Sequence, residues 1–267
     1  MSASAGLRVI PPRFQPRVWG QRDLSAWYPE RGREPEPVGE AWLSPPGGPV
    51  LIKLLFPRQR LSVQVHPDDA YAAAHGLGRG KSEAWYVVEA EAEARLGVGL
   101  RPGARWEELE AACRAGRGAE LLHWFAVAAG DVIDVPAGTV HAIGPGVVLC
   151  EVQQDSDNTF RLDDYGRGRG LHLEQGLAVA RPTAGGRVET GLAAGASGLL
   201  LATGHFRLWR HCLAAGGRLA PAAETRWLVN VQGACAIPRG CAAELPPGGD
   251  LRVAAATTLL EARTGAP

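Results

Sequence analysis

LSVQVHPDD, residues 61–69, decides how this chain is read. Side chains on an extended strand alternate between two faces, so Leu61, Val63 and Val65 fall on one side and Ser62, Gln64 and His66 on the other. One face suits a core. The other carries a hydroxyl, an amide and an imidazole, a combination with chemistry in it. Pro67 then stops the strand. Asp68 and Asp69 open an Ala-rich stretch to residue 76 that reads as a short helix with Asp68 as its N-cap.

Further short strands surround this one. Residues 50–56 are apolar except for Lys53. Residues 82–88 carry Glu83 and Tyr86. Residues 130–135, 138–143 and 147–152 are separated by Pro-Ala-Gly and Gly-Pro-Gly turns. Residues 39–43 are a short strand candidate, and 1–38, rich in Pro and Arg, read as an extended arm laid over the core. Helical character at 105–114 and 119–125 predicts a small helical insertion. Beyond residue 183 weaker strands are expected at 199–202, 206–213, 226–231 and 251–255, in a unit poorer in polar chemistry. Many short strands with frequent turn signals predict a mainly β protein, a barrel or sandwich.

Composition narrows the function. The 267 residues carry 28 Lys+Arg and 28 Asp+Glu, so no net charge favours nucleic acid. The 35 Gly and 20 Pro are too many for a helix bundle. No apolar run approaches the ~20 residues of a membrane helix. The first residues lack the basic and apolar regions of a secretory signal. The five cysteines, Cys113, Cys150, Cys212, Cys235 and Cys241, form no C-x-x-C pair and read as reduced thiols, giving a cytoplasmic expectation. Only Lys53 and Lys81 are lysines, against 26 arginines. Where Arg is the default cation, these two stand out as groups able to give up a proton.

Gln64 and His66 on one strand, Glu83 on the next and His141 on a later one supply two imidazole nitrogens and two oxygens. That mixed set, without thiolate, fits a divalent metal in an open catalytic site better than a closed structural zinc site. Spacing alone leaves the alternative of two ordinary half-buried histidines. Lys53 within an apolar strand is costly to bury without an anion, which favours a pocket-facing position.

Four segments in order carry a resemblance: LSVQVHPDD (61–69), GKSEAWYVV (80–88), VPAGTVHAIGPG (135–146) and EVQQDSDNTFRLDDYGR (151–167). LIKLLF (51–56) and LHLEQ (171–175) add to it. Over residues 19–180 the chain resembles the compact bacterial form of type I phosphomannose isomerase, also called mannose-6-phosphate isomerase, in the cupin superfamily. The resemblance implies two cupin-like jelly-roll barrels with a small helical insertion. Residues 1–182 would be the catalytic domain, with its N-terminal arm and the insertion near 105–125, and 183–267 a smaller C-terminal cupin-like domain. It implies one Zn2+ per chain on Gln64, His66, Glu83 and His141. The activity implied is interconversion of mannose 6-phosphate and fructose 6-phosphate through an enediol.

By motif position, Arg161 would stabilise the enediolate or touch phosphate, Lys81 and Glu151 would move protons, and Lys53 and Ser62 would contact the phosphorylated substrate. Asp157 would partner Arg161 or Lys81, and Trp19 would lie near the pocket. The only partner implied is a small sugar phosphate, with no nucleic acid or membrane. Phe160 and Asp163 depart from the tyrosines common in the family; a lost hydroxyl and an added charge near Arg161 predict altered substrate preference, set by the pocket around Phe160, Asp163 and Lys53. The competing readings are an isomerase of another phosphorylated aldose, a non-catalytic sugar-sensing cupin, and an iron-dependent cupin oxygenase, in which Lys81 and Arg161 have no obvious purpose.

Overall fold

The computed structural model describes residues 6–45, 47–182 and 185–265. Two sheets build the part that holds the site. A seven-stranded sheet runs in the order Gly186–Arg187, Val132–Val135, Glu83–Ala90, Val147–Gln154, Val50–Leu55, Arg33–Trp42 and Arg13–Asp23. A five-stranded sheet runs Phe160–Asp163, Val63–Val65, His141–Ile143, Arg95–Leu100 and Leu122–Ala126. All their pairings are antiparallel.

The seven-stranded sheet is buried on both faces. Along Glu83–Ala90, Trp85 and Val87 pack into a cluster shared with the five-stranded sheet through Leu96, Val98 and Ile143. Ala84 and Tyr86 face the opposite way, into a cluster with Leu208, Val229 and Leu260 of a third sheet. Period two thus gives each strand two apolar faces rather than one. Each fully buried Leu, Ile, Val or Phe contributes about 1.5–3 kcal/mol of burial, so this central sheet ties the two halves of the chain together.

The third, six-stranded sheet takes the order Arg8–Ile10, Ala242–Leu245, Arg226–Gln232, Thr257–Thr264, Phe206–Leu213 and Gly198–Ala202. Its outermost strand comes from the N-terminus. The expected boundary after residue 182 abuts residues 183 and 184, which lie outside the described residues.

Several elements differ from the sequence reading. The arm at 1–38 holds strands Arg8–Ile10 and Arg13–Asp23 and the start of Arg33–Trp42, where only a strand at 39–43 was expected. Pro16 and register shifts break the alternation of this hairpin, and its position at a sheet edge tolerates the proline. The expected helix at 119–125 is a short 3-10 turn, Gly118–Leu121, followed by strand Leu122–Ala126. Consecutive His, Trp and Phe are weak helix formers, and Trp124 and Leu122 lie against the bare backbone of Gly97, where a Cβ would come within 3.0 and 3.1 Å of them. The other half of the insertion is helical, at Trp106–Glu108 and Leu109–Arg114. Strand Leu251–Arg252 is shorter than the expected 251–255, and Thr257–Thr264, unforeseen, lies inside the third sheet. The C-terminal unit is also less plain than its composition suggests, since it buries Arg210, Arg226 and Glu261. The capped helix is as expected: Asp69–Ala74, with the Asp68 side chain accepting from the Tyr71 amide.

Among the described residues no helix is long and apolar enough to cross a membrane. The five cysteines are unpaired.

Candidate metal centre and active site

Strand register assembles the site. His141 sits directly across from Gln64, and Arg161 pairs with Gln64 on its other side. From the opposing sheet, Glu83 pairs with Gln153, and Glu151 pairs with Lys53. Odd-numbered residues of Val50–Leu55, Glu83–Ala90 and Val147–Gln154 therefore meet even-numbered residues of the 61–66 segment between the sheets.

His66, Glu83 and His141 are fully buried and offer ligand atoms all within 4.8 Å of one another. Each imidazole is oriented by a backbone carbonyl: Nδ1 of His66 bonds Asn158 O at 2.9 Å, and Nδ1 of His141 bonds Thr139 O at 2.9 Å. With those nitrogens donating, both Nε2 lone pairs turn inward, the arrangement that prepares histidine for a metal. Glu83 Oε2 lies 3.4 Å from His66 Nε2, and Oε1 lies 3.4 Å from His141 Nε2. Glu83 Oε1 has no hydrogen-bond partner although it is buried. Gln64 places its amide 3.1 Å from His141 Nε2, with Ser62 Oγ donating to its Oε1 at 3.3 Å.

A buried carboxylate with one oxygen toward each imidazole, the one toward His141 left without a hydrogen bond, fits a divalent cation. The donor chemistry agrees: two nitrogens and a carboxylate suit zinc and several other divalent ions, and the Gln64 amide, which here turns its nitrogen toward His141, would add its oxygen when turned over.

Charge shapes the same corner. Lys81 Nζ contacts His66 Nε2 at 2.9 Å and donates to Glu83 Oε2. Burial works to raise the Glu83 pKa, but Lys81, His66 and His141 outweigh it and hold the carboxyl well below its usual range. Burial, helped by the Lys81 charge, pushes His66 down to about 4. His141 is also lowered, chiefly by burial. Both imidazoles are therefore neutral at pH 7, as a metal ligand requires.

Gln64 and Lys81 join this cluster to a cavity of about 390 Å³, also lined by Lys53, Ser62, Glu151, Asp157 and Arg161. Lys53 donates to Gln153 Oε1 at 2.7 Å and lies 3.2 Å from Glu151 Oε1. The anion its burial demands is thus supplied by the protein. Burial alone would lower the Lys53 pKa, but Glu151, Glu40 and Asp157 reverse it and the pKa is raised. Glu151 Oε2 accepts from Trp85 Nε1 at 3.1 Å. Arg161 forms no ion pair among the described residues; Nη1 donates to Gly170 O at 2.8 Å, and Nε is buried without a partner. Burial, then the Arg169 charge, lowers its pKa. His172 braces its backbone, accepting from the Arg161 amide at 3.1 Å and donating its own to Arg161 O at 2.7 Å.

All ten site residues singled out in the sequence lie in the metal cluster or line the cavity. Asp157 lines it without a hydrogen bond or ion pair to Arg161 or Lys81 among the described residues. Trp19 lines it as the resemblance implies. Phe160 and Asp163 do not line it. Phe160 packs in the outer cluster against Tyr71, and Asp163 accepts from the amides of Gly118 and Tyr165 at 2.8 and 2.9 Å. Sequence reasoning missed Arg17, Glu40 and Arg169, which also line the cavity. Glu40 Oε1 and Oε2 take two bonds from Arg17, at 3.0 and 2.9 Å, and Oε2 a third from Trp42 Nε1 at 2.6 Å. No spacing marks them in an Arg-rich segment.

Sheet order, two-sided burial and the His/Glu/His cluster define a mainly β protein of the cupin class with a metal-capable centre. No family model matches the chain. The resemblance to mannose-6-phosphate isomerases spans just under half of it: 45% identity over 137 residues to the Streptococcus mutans enzyme, and 44% over 138 to one from Bacillus subtilis. The aligned segments cover 49% of this chain and 43% and 44% of those relatives, so under half of each curated relative is matched. The fold is that of solved phosphomannose isomerases. The Bacillus subtilis mannose 6-phosphate isomerase structure superposes with a TM-score of 0.80 at 23% identity, covering 98% of this chain and all of that one. A mannose 6-phosphate isomerase bound with zinc and yttrium gives 0.68 at 15% identity, covering 98% of this chain and all of that one.

Proposed function

We propose that this protein is a zinc-dependent aldose–ketose isomerase that interconverts mannose 6-phosphate and fructose 6-phosphate through an enediol, in the cytoplasm. Residues 1–182 form its catalytic unit and 183–267 a smaller cupin-like unit. One observation carries the reading: a buried Glu83 carboxylate between two oriented imidazoles, with the oxygen toward His141 unpartnered, beside a cavity lined with paired proton-transfer groups.

Gln64, His66, Glu83 and His141 would hold one Zn2+ per chain. When bound, that ion supplies Lewis acidity to the carbonyl or organises the sugar oxygens. The reaction itself removes a proton from C2 of the aldose and returns one to C1, while a hydroxyl proton passes from O2 to O1. Lys81 and Glu151 are the acid/base groups for these transfers. Each is held by two partners, Lys81 by His66 and Glu83 and Glu151 by Lys53 and Trp85, so each is aimed before substrate arrives. Arg161, unpaired by any carboxylate among the described residues, offers positive charge to the enediolate or the phosphate. Lys53, Ser62 and Asp157 line the space for the rest of the sugar phosphate.

The test is turnover of mannose 6-phosphate before and after a chelator, with zinc added back. Activity lost on chelation and restored by zinc supports the assignment. No turnover by folded, zinc-loaded protein overturns it, and other phosphorylated aldoses then become the substrates to try.

A further inference from the structure

Four cations are buried among the described residues: Lys53, Lys81, Arg210 and Arg226. Three face a carboxylate, Glu151, Glu83 and Glu261 respectively. Arg210 is 6% exposed and forms no ion pair among the described residues. Its Nε donates to Ala196 O at 2.7 Å and its Nη2 to Ala193 O at 2.9 Å. These are neutral acceptors in the segment before strand Gly198–Ala202. Nη1 makes no hydrogen bond among the described residues. Nη1 opens onto a cavity, the side from which a counter-charge for this largely buried guanidinium would come.

Arg210 lines a cavity of about 690 Å³ between the seven-stranded and six-stranded sheets. Tyr86, Val88, Leu192 and Val231 give it an apolar wall, and Gln232 and Thr258 a polar one. Tyr86 and Arg210 line the same cavity, and Tyr86 brings no charge to it. The carboxylate of Glu89 also borders the cavity, but Arg239 Nη2 takes it at 2.6 Å. One positive charge is left over.

The geometry points to a second binding site here, for a small organic monocarboxylate: its acid group on Arg210 Nη1, its apolar body against Tyr86, Val88, Leu192 and Val231. The charge count selects the acid. A carboxylate balances one cation, whereas a phosphomonoester dianion would bring a second negative charge with no partner. The site is separate from the metal centre, behind the same strand: Glu83 and Trp85 point to one side of Glu83–Ala90, Tyr86 to the other. The inference is independent of which reaction the first cavity performs.

Calorimetric titration of the full chain with benzoate and with hexanoate tests it, with benzyl alcohol as the uncharged counterpart. One site per chain with a Kd of about 1 mM or tighter is expected for at least one acid. Benzyl alcohol should not bind, and saturating fructose 6-phosphate should not displace the acid. Arg210→Gln should weaken binding at least ~10-fold, the scale of one charge-assisted hydrogen bond, and leave isomerase turnover unchanged. Because Arg210 also holds the segment around Ala193 and Ala196, Gln232→Glu provides a second variant at an exposed wall position; its added carboxylate should also weaken binding. Absence of saturable binding by both acids overturns the site. So does binding that survives both variants, or displacement by fructose 6-phosphate. Equal competition by inorganic phosphate overturns the carboxylate assignment.

Discussion

Gln64 and His141, 77 residues apart, are direct partners across two antiparallel strands, and their side chains meet at 3.1 Å. The backbone register itself sets that distance. A metal centre built on such a pair would be held by the sheet, its proposed ligands keeping their places without a flexible loop to order.

His141→Ala should therefore empty the centre while leaving the sheet intact. The ring is fully buried, meeting Gln64, Glu83 and the Thr139 carbonyl, with Trp85 packed edge-on against it. Loss of a group that merely orients a ligand costs 10–100-fold in metal affinity, so loss of the ligand should cost at least ~100-fold. Zinc content after dialysis, measured by atomic emission, should fall to background, with isomerase turnover falling in step. Full zinc occupancy in this variant would remove His141 from the ligand set.

Lys53 and Glu151 form a buried pair, and each is the other's charge partner. Lys53→Met leaves Glu151 without its counter-charge and should cost about 3–5 kcal/mol in urea denaturation. The double variant Lys53→Met/Glu151→Gln should cost clearly less than the sum of the two single changes. Additive losses would show that the pair is not coupled in solution.

The sequence made this much of the site legible because the proposed ligands lie on or beside short strands of regular alternation. Ser62, Gln64 and His66 share a face whatever the rest of the chain does, and Lys53 is conspicuous in an apolar run. Glu40 and Arg17 were hidden for a physical reason. They meet across a hairpin whose register shifts at Pro16, so no fixed spacing joins them. Strand Thr257–Thr264 was hidden because it carries Glu261 and Arg263, which read as solvent-facing. In the structure Glu261 is fully buried against His211, Arg226 and Arg263.

Asp163 illustrates the reverse error. Its charge, next but one to Arg161 in sequence, suggests a role in substrate choice. A register shift between Arg161 and Asp163 accompanies a carboxylate turned onto the Gly118 and Tyr165 amides. Asp163→Asn replaces one acceptor with a donor facing an N–H group. It should cost about 1–3 kcal/mol of stability, with the kcat/KM ratio between mannose 6-phosphate and other phosphorylated aldoses unchanged. A shifted ratio at unchanged stability would return Asp163 to the pocket.

Glu40 gives the acid sensitivity of the cavity wall a definite sign. Burial works to raise its pKa, but Lys53 and Arg17, with hydrogen bonds from Trp42 and Arg17, outweigh it and the folded value lies below the ordinary 4.5. Between the two values the unfolded chain binds the proton more readily than the folded one. The stabilisation is therefore complete above about pH 4.5 and is lost as pH falls through the folded value. Glu40→Gln keeps the shape but removes the charge that Arg17 grips, so at pH 7 it should cost about 1.5–3 kcal/mol, the scale of a hydrogen bond to a charged group. Urea midpoints of the two proteins should then converge as pH is lowered below about 4.5, because the unfolded chain takes up a proton there that the native carboxyl resists. A gap that stays constant over that range would mean that shape, rather than the Glu40 charge, is what Arg17 and Trp42 recognise.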